Sequence, residues 1–240
     1  MLDQFDGLAW TPQKGQEVRY PIAWTGRPLP AWVEQSLLLP QQEIFEYRVS
    51  MEPTQREWLF ALNVSYAEPN AALGLTRNYT LQARDPIRLR QNIKFVHYRD
   101  AVLDTQLPAE LRQSSLQLPA ESNPQTREFA QALLRQVGGD PDQYMQAILA
   151  WIRQQNFVYT LQPPRLAGQR IDQFLFESRR GFCEHYSSAF TFLMRAAGIP
   201  ARVVVGYQGG QLGRDGESWE VRQMDAHAWS EVWLPKRGWV

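Results

Sequence analysis

The chain is poor in the residues that do covalent and metal chemistry: one cysteine and three histidines in 240 residues. A single thiol excludes an intrachain disulfide and says little about redox compartment. Charge of one sign is also missing. Lysine plus arginine number 25 and aspartate plus glutamate 25, so no bulk field would recruit nucleic acid or an acidic membrane. Nowhere do the roughly 18 apolar residues of a membrane span run together. The start, Met1-Leu2-Asp3-Gln4, lacks the basic and apolar regions of a signal peptide. The residues given therefore read as soluble, without an address and without direct membrane insertion. There is no internal repeat and no low-complexity tract. Gly206, Gly209 and Gly210 do not make a phosphate-cradling loop, and no other cofactor-binding pattern is found.

What remains is an ordinary globular composition, 44% hydrophobic and 21% charged, in a length that suits one large domain or two small ones. The first hundred residues read mostly as strands and turns. Ile44 to Met51, Trp58 to Tyr66, Thr76 to Ala83 and Gln91 to Arg99 are β-branched and aromatic, with Pro53, Pro69, Gly74 and Pro86 between them. They predict a small β-sandwich or sheet module. Leu107 to Pro124 carries three prolines and no clear period, and a domain boundary is placed there, between residues 120 and 121.

Helices follow. Ser122 or Asn123 is expected to cap a helix whose apolar face is Phe129, Ala132 and Leu133 and which Gly138-Gly139 ends. Asp140-Pro141 opens another, with Tyr144, Ile148, Trp151 and Ile152 as its core stripe. Phe157 to Leu161 reads as a short extended segment. Ala201 to Tyr207, Trp219 to Arg222, Ala226 to Leu234 and a start at Gly238 read as an antiparallel sheet. A helical half followed by such a sheet is an α+β arrangement.

The lone cysteine sits in Arg180-Gly181-Phe182-Cys183-Glu184-His185-Tyr186. The apolar residues Tyr186, Phe190, Leu193, Met194 and Ala197 mark one helical stripe, and Cys183 falls at its N-terminal end. Unpaired N–H groups and the positive end of the helix dipole meet a thiol there. Such settings can lower a cysteine pKa from about 8.5 to roughly 3.5–7.5, and the thiolate is the nucleophile. A buried structural cysteine would occupy the same position, so position alone leaves both readings open.

A nucleophilic thiol needs an imidazole nearby. His97 lies among Phe95, Val96 and Tyr98 and suits an ordinary strand histidine. His185 is two residues from Cys183, a rotation of about 200° on a helix, so its ring points away from the thiol. His227 lies in Asp225-Ala226-His227-Ala228-Trp229-Ser230-Glu231. It shares a strand face with Trp229, Glu231 and Trp233, a mixture that fits a cleft wall, although a hydrogen-bonded strand histidine would look the same. Cys183, His185 and His227 make no zinc pattern, because there is no second cysteine and the Cys-x-His step does not converge on a helix. Ser187 and Ser188 read as surface or packing residues.

The run Arg180 to Phe190, then Gly198-Ile199-Pro200-Ala201-Arg202 into the valine strand, then Asp225-Ala226-His227-Ala228-Trp229, then Gly238-Trp239-Val240, resembles the bacterial transglutaminase-like superfamily over about residues 122–240. The closest form is the extracytoplasmic domain of a membrane-anchored protein, and the stretch near Leu2 to Gly7 resembles its accessory region more weakly. The resemblance implies a papain-like α+β core preceded by a mostly β accessory region, with a helix carrying Cys183 packed on an antiparallel sheet carrying His227. It implies Cys183 as nucleophile and His227 as general base and acid. The third member of the family's triad is an acid on the strand after the histidine, expected beyond Val240. Asp225 and Glu231 step away from His227 along its own strand. The chain is therefore expected to be weak or inactive alone.

The implied reaction is acyl transfer through a Cys183 thioester, from a glutamine carboxamide to an amine or to water. The oxyanion would take the Cys183 N–H and, as a side-chain candidate, the Tyr159 hydroxyl; a packed strand tyrosine is the plain alternative for Tyr159. A cysteine protease or amidase on the same fold, and a non-catalytic binding module, stay open beside it. The implied partners are a protein or peptide substrate and an amine co-substrate, and the implied location is periplasmic.

Overall fold

The chain begins with two short strands, Gln4–Phe5 (β1) and Trp10–Thr11 (β2), paired antiparallel. In this structure, a computed structural model, the described residues are 1–12, 44–67, 73–76, 78–99 and 101–240, with the backbone alone of 20–21 and 37–38. Contacts divide the chain into two compact units. One is Met1–Gln13, Leu107–Pro235 and Trp239–Val240; the other is Lys14–Gln106 with Lys236–Gly238. The helical unit thus starts at Leu107 and also takes in the N-terminal segment.

The β-rich unit holds strands Tyr20–Pro21 (β3), Leu37–Leu38 (β4), Ile44–Met51 (β5), Ser65–Ala67 (β6), Leu73–Leu75 (β7), Leu81–Ala83 (β8), Gln91–Tyr98 (β9) and Val102–Leu103 (β10). They form antiparallel sheets ordered β5-β9-β6, β3-β7-β8 and β10-β4. Tyr66, Leu75, Phe95 and Val96 are buried in its core. The long strands read from sequence, β5 and β9, are where expected. The other two are cut short. Val64 and Tyr79 take left-handed conformations, with φ of 51° and 61°. The second sits in a turn closed by Thr76, whose hydroxyl accepts from Thr80 N–H at 3.0 Å. A chain that turns there cannot continue an extended ladder. Pro69 lies outside the described residues. His97 is a strand histidine, with Ser65 Oγ 3.3 Å from Nδ1 and the Phe45 ring 4.8 Å away.

The other unit continues with helices Ala109–Ser114 (α1), Pro124–Gln136 (α2) and Pro141–Gln154 (α3). Strand Val158–Tyr159 (β11) and a short turn, Arg170–Asp172 (α4), come next, then a π-helical turn over Gln173–Ser178. Strand Arg180–Gly181 (β12) leads into helix Cys183–Ala196 (α5). Strands Ala201–Tyr207 (β13), Gln211–Leu212 (β14), Trp219–Glu220 (β15), Ala226–Leu234 (β16) and Gly238–Trp239 (β17) follow in sequence. The sheet order is β13-β16-β17, with β14 and β15 a separate hairpin. Helix α5 packs on β13 and β16. Its Phe192, Leu193 and Met194 are buried with Tyr144, Ile148, Leu175 and Leu234, and with Phe5 from the N-terminal segment.

Two local expectations change. On α2 the buried alanine is Ala130, four residues after buried Thr126, while Ala132 is exposed; Phe129 and Leu133 share the stripe of Thr126 and Ala130, and Ala132 lies off it. Nor do Ser122 and Asn123 cap that helix with their side chains. Ser122 Oγ donates to Pro119 O, and Asn123 Oδ1 accepts from the Ile171 and Asp172 N–H groups at 3.0 and 3.2 Å. The cap comes from far away in sequence. The Asp172 carboxylate accepts from Gln125 N–H at 3.1 Å, Thr126 N–H at 2.8 Å and Thr126 Oγ at 2.5 Å. Asp172→Ala strands these donors, of which the two of Thr126 are buried, and should lower the unfolding free energy by roughly 1–3 kcal/mol, measured in urea. A loss within error would mean that water serves them.

Candidate active site

Cys183 is the first residue of α5 and is half-buried. The backbone before it is held by a parallel pairing of β11 and β12, with Tyr159 opposite Gly181. Val158 N–H donates to Arg179 O and Thr160 N–H to Gly181 O, both at 2.8 Å. The pairing carries Tyr159 to the helix start. The Cys183 N–H donates to the Tyr159 hydroxyl oxygen at 3.4 Å. Tyr159 is 58% exposed, and its ring lies near-parallel to Tyr186 at 6.1 Å. It is therefore an open tyrosine beside the thiol residue, with its phenol hydrogen still free to be shared.

His227 is the second residue of β16, paired across the sheet with Gly206. A Cβ on Gly206 would fall 2.9 Å from the Trp229 ring. Glycine there lets that indole lie against the strand on the His227 face. The burial alternation is clear: Ala228, Val232 and Leu234 are buried, whereas His227, Trp229, Glu231 and Trp233 are half-buried.

Two ties fix how α5 runs relative to β16. Ser230 Oγ donates to Ser187 O and accepts from Thr191 Oγ, each at 2.9 Å. Beyond the helix end, Trp233 N–H donates to Pro200 O at 2.9 Å. Helix and strand therefore advance together. Ser187 lies about 6 Å of helix past Cys183, and Ser230 about 10 Å of strand past His227. Cys183 and His227 thus stand at the same end of the packed pair. Among the described residues, neither the thiol nor the imidazole ring is held in a hydrogen bond, so no Cys183–His227 bond is closed. Catalytic hydrogen bonds are often long without substrate and tighten when it binds.

The two acids near His227 are engaged elsewhere. Glu231 Oε2 accepts from Arg202 Nε at 2.8 Å and Nη2 at 2.7 Å. Asp225 Oδ2 accepts from Arg222 N–H at 2.7 Å. Arg202 also stacks on Trp239, 3.9 Å from the ring centre. Sequence reading missed this pair, although pairing Ala201–Tyr207 against Ala226–Leu234 sets Arg202 opposite Glu231. The two serines after the cysteine have structural partners: Ser187 Oγ donates to Glu184 O, and Ser188 Oγ accepts from Trp10 Nε1 at 2.7 Å. Among the described residues, no group of three or more histidine, cysteine and acidic side chains could hold a metal ion, and no helix is long and apolar enough to cross a membrane.

The site is thus a thiol at a helix start beside an open tyrosine, on a helix packed against a histidine-bearing antiparallel sheet, in an α+β fold. Residues 127–240 match the transglutaminase-like superfamily, and residues 1–103 match the TgpA N-terminal domain. The chain belongs to the transglutaminase-like superfamily, and the expected α+β core is the fold observed. Among solved structures, all of this chain aligns with the periplasmic domain of TgpA from Pseudomonas aeruginosa, at 36% identity and a TM-score of 0.87, over 77% of that chain. The same domain bound to ethylmercury aligns at 35% identity and 0.86, over 79% of its chain. The sequence is also 37% identical over 241 residues to a protein-glutamine gamma-glutamyltransferase of Pseudomonas aeruginosa. A stretch of 74 residues is 47% identical to the uncharacterized protein YebA of Bacillus subtilis. The chain spans 33% of the length of the first of these relatives and 10% of the second.

Proposed function

We propose that this chain is a thiol-dependent acyltransferase that takes the acyl group of a glutamine carboxamide onto Cys183. The observation that carries the reading is the meeting of Cys183, its own N–H and the Tyr159 hydroxyl at the start of α5. The Cys183 thiolate attacks the carboxamide carbon, and the C=O pair moves onto oxygen. That oxyanion takes the Cys183 N–H, turned from Tyr159, and the Tyr159 O–H. His227 as imidazolium gives its proton to the departing ammonia, leaving a thioester. A primary amine, or water, then attacks the thioester; His227 takes its proton, and the thiolate leaves. An extracytoplasmic setting is part of the proposal, supported by the periplasmic domains that this chain resembles.

Incubation with a glutamine peptide and a primary amine, read by mass spectrometry, tests the reaction. Amine incorporation supports transamidation, conversion to glutamate shows hydrolysis, and peptide-bond cleavage would replace the reading with a protease. No product, from this chain or from one extended beyond Val240, would end it. The proposal includes an orienting acid for His227 in sequence beyond Val240. Extension should therefore raise the rate by about two orders of magnitude or more.

Tyr159→Phe keeps the ring and removes one oxyanion donor. It should lower kcat by about 10²–10³-fold with little change in KM. An unchanged kcat would leave Tyr159 as a wall residue only.

A further inference from the structure

His185 does not face the thiol, but it is not idle. Its Nδ1 lies 3.4 Å from the Phe182 N–H, the donor immediately before Cys183. Glutamate or glutamine at the third helical position commonly reaches back to that N–H; here a histidine stands in that place. The backbone is shaped around the ring. A Cβ on Gly181 would fall 2.6 Å from His185 Cβ and 2.9 Å from the Phe174 ring. Phe182 meets the His185 ring edge-on at 4.7 Å, and Phe174 packs on it at 5.6 Å from the π-helical turn. The turn that presents Cys183 is thus clamped by a ring accepting at Nδ1.

We propose that His185 is a positioning residue: as a neutral ring with its proton on Nε2, it caps the Phe182 N–H and holds the Cys183 turn, and protonation releases it. Only an unprotonated Nδ1 can accept. Burial pulls the His185 pKa below its ordinary value of 6.5, opposed by the charge of Glu184. Among the described residues, the elements packed on the ring contribute Gly181, Phe182 and Phe174, none of which titrates; Glu184 on its own helix is the charged neighbour. A depressed folded-state pKa gives a contribution that is present above 6.5 and lost as pH falls through the folded value. The turn should therefore loosen on the acid side.

The inference rests on the proposed role of Cys183 only for its consequence, so the test has two readouts. The first is NMR of the whole chain, with the ring signals of His185 identified by their loss in His185→Gln. The expected result is an Nε2–H tautomer at neutral pH and a Phe182 amide proton that shifts as His185 titrates. An Nδ1–H tautomer, or a Phe182 amide indifferent to that titration, overturns the proposal whatever the enzyme does. The second is the rate of Cys183 alkylation by iodoacetamide across pH, in the parent chain and in a His227→Ala background. His185→Ala should slow alkylation about 5–10-fold at neutral pH. His185→Gln, an uncharged acceptor, should stay within about twofold of the parent and lose the His185-dependent fall at acid pH. His185→Gln as slow as His185→Ala, or a parent-like rate in both, overturns the positioning role. Sluggish alkylation in every variant, with the tautomer and amide shift as expected, would sink the proposed function and leave the cap standing.

Discussion

In a chain extended beyond Val240, Cys183→Ala should abolish both amine incorporation and hydrolysis of a glutamine peptide, a fall of roughly 10⁵-fold or more. No second thiol exists to substitute, since Cys183 is the only cysteine of the chain. The neighbouring hydroxyls are committed: Ser187 to the helix backbone, Ser188 to the Trp10 indole. The fold should tolerate the change, because Cys183 sits half-exposed at a helix start and not in the buried stripe. Retained binding of the peptide with lost turnover is the expected pairing. His227→Ala should cost nearly as much in turnover, and the double variant little more than either alone, because residues that act as a unit are not additive. Turnover surviving in Cys183→Ala at more than a thousandth of the parent rate would mean that the chemistry lies elsewhere.

The second large effect is on stability. Glu231→Ala should cost about 3–5 kcal/mol, because it leaves the Arg202 guanidinium buried without its counter-charge. The exposures decide the magnitude: the Arg202 side chain is 4% exposed and that of Glu231 16%. A surface pair would contribute at most about 1 kcal/mol. Arg202 is held on one side by a two-nitrogen contact to Glu231 and on the other by the Trp239 face. Among the described residues, removing the carboxylate leaves the ring as the side-chain contact, and cation–π contact alone does not offset burial of a full charge. Replacing both partners with apolar residues of similar volume should recover most of the loss. Equilibrium urea unfolding of the parent and the two variants measures this. A Glu231→Ala change below about 1 kcal/mol would show that Arg202 finds water instead.

The helix of Cys183 and the strands beside it were readable because their signals are local. Tyr186, Phe190, Leu193, Met194 and Ala197 recur at helical spacing, and Ala201 to Tyr207 and Ala226 to Leu234 keep the bounds read from their pattern. The pointing of His185 away from the thiol follows from helix geometry; its grip on Phe182 does not, because histidine is an unusual choice for that back-reaching position. The short helix Ala109–Ser114 was hidden by flanking prolines, and too short to show a period. The π-helical turn at Gln173–Ser178 has no propensity signature and depends on how Phe174 beds under Tyr186 and Phe157. Arg195 was least readable. It is an arginine on the core side of a helix, its pKa pulled down to about 9 by burial. Its head donates to the carbonyls of Asp3, Gln117 and Ala201. A charge so placed looks like a surface residue until the distant carbonyls are known.

Those carbonyls have a consequence for how the molecule comes to be. Phe5 stacks on Trp10 at 4.7 Å and meets Phe192 at 6.0 Å, and Leu2 pairs with Val203. Trp10 reaches Ser188 across 178 residues, and Arg195 reaches Asp3 across 192. Residues 1–12 are made well before α5 and β13, and find their partners only once those have been made. Closing so long a loop carries an entropic cost that delays assembly. Residues 14–106 are thereby an insertion in the folding unit, not a preface to it. To separate the two units, a chain cut at residue 14 would discard a piece of the helical half. Joining residue 12 to residue 107 through a short flexible linker would keep that half whole, and only the joined form should show a cooperative unfolding transition.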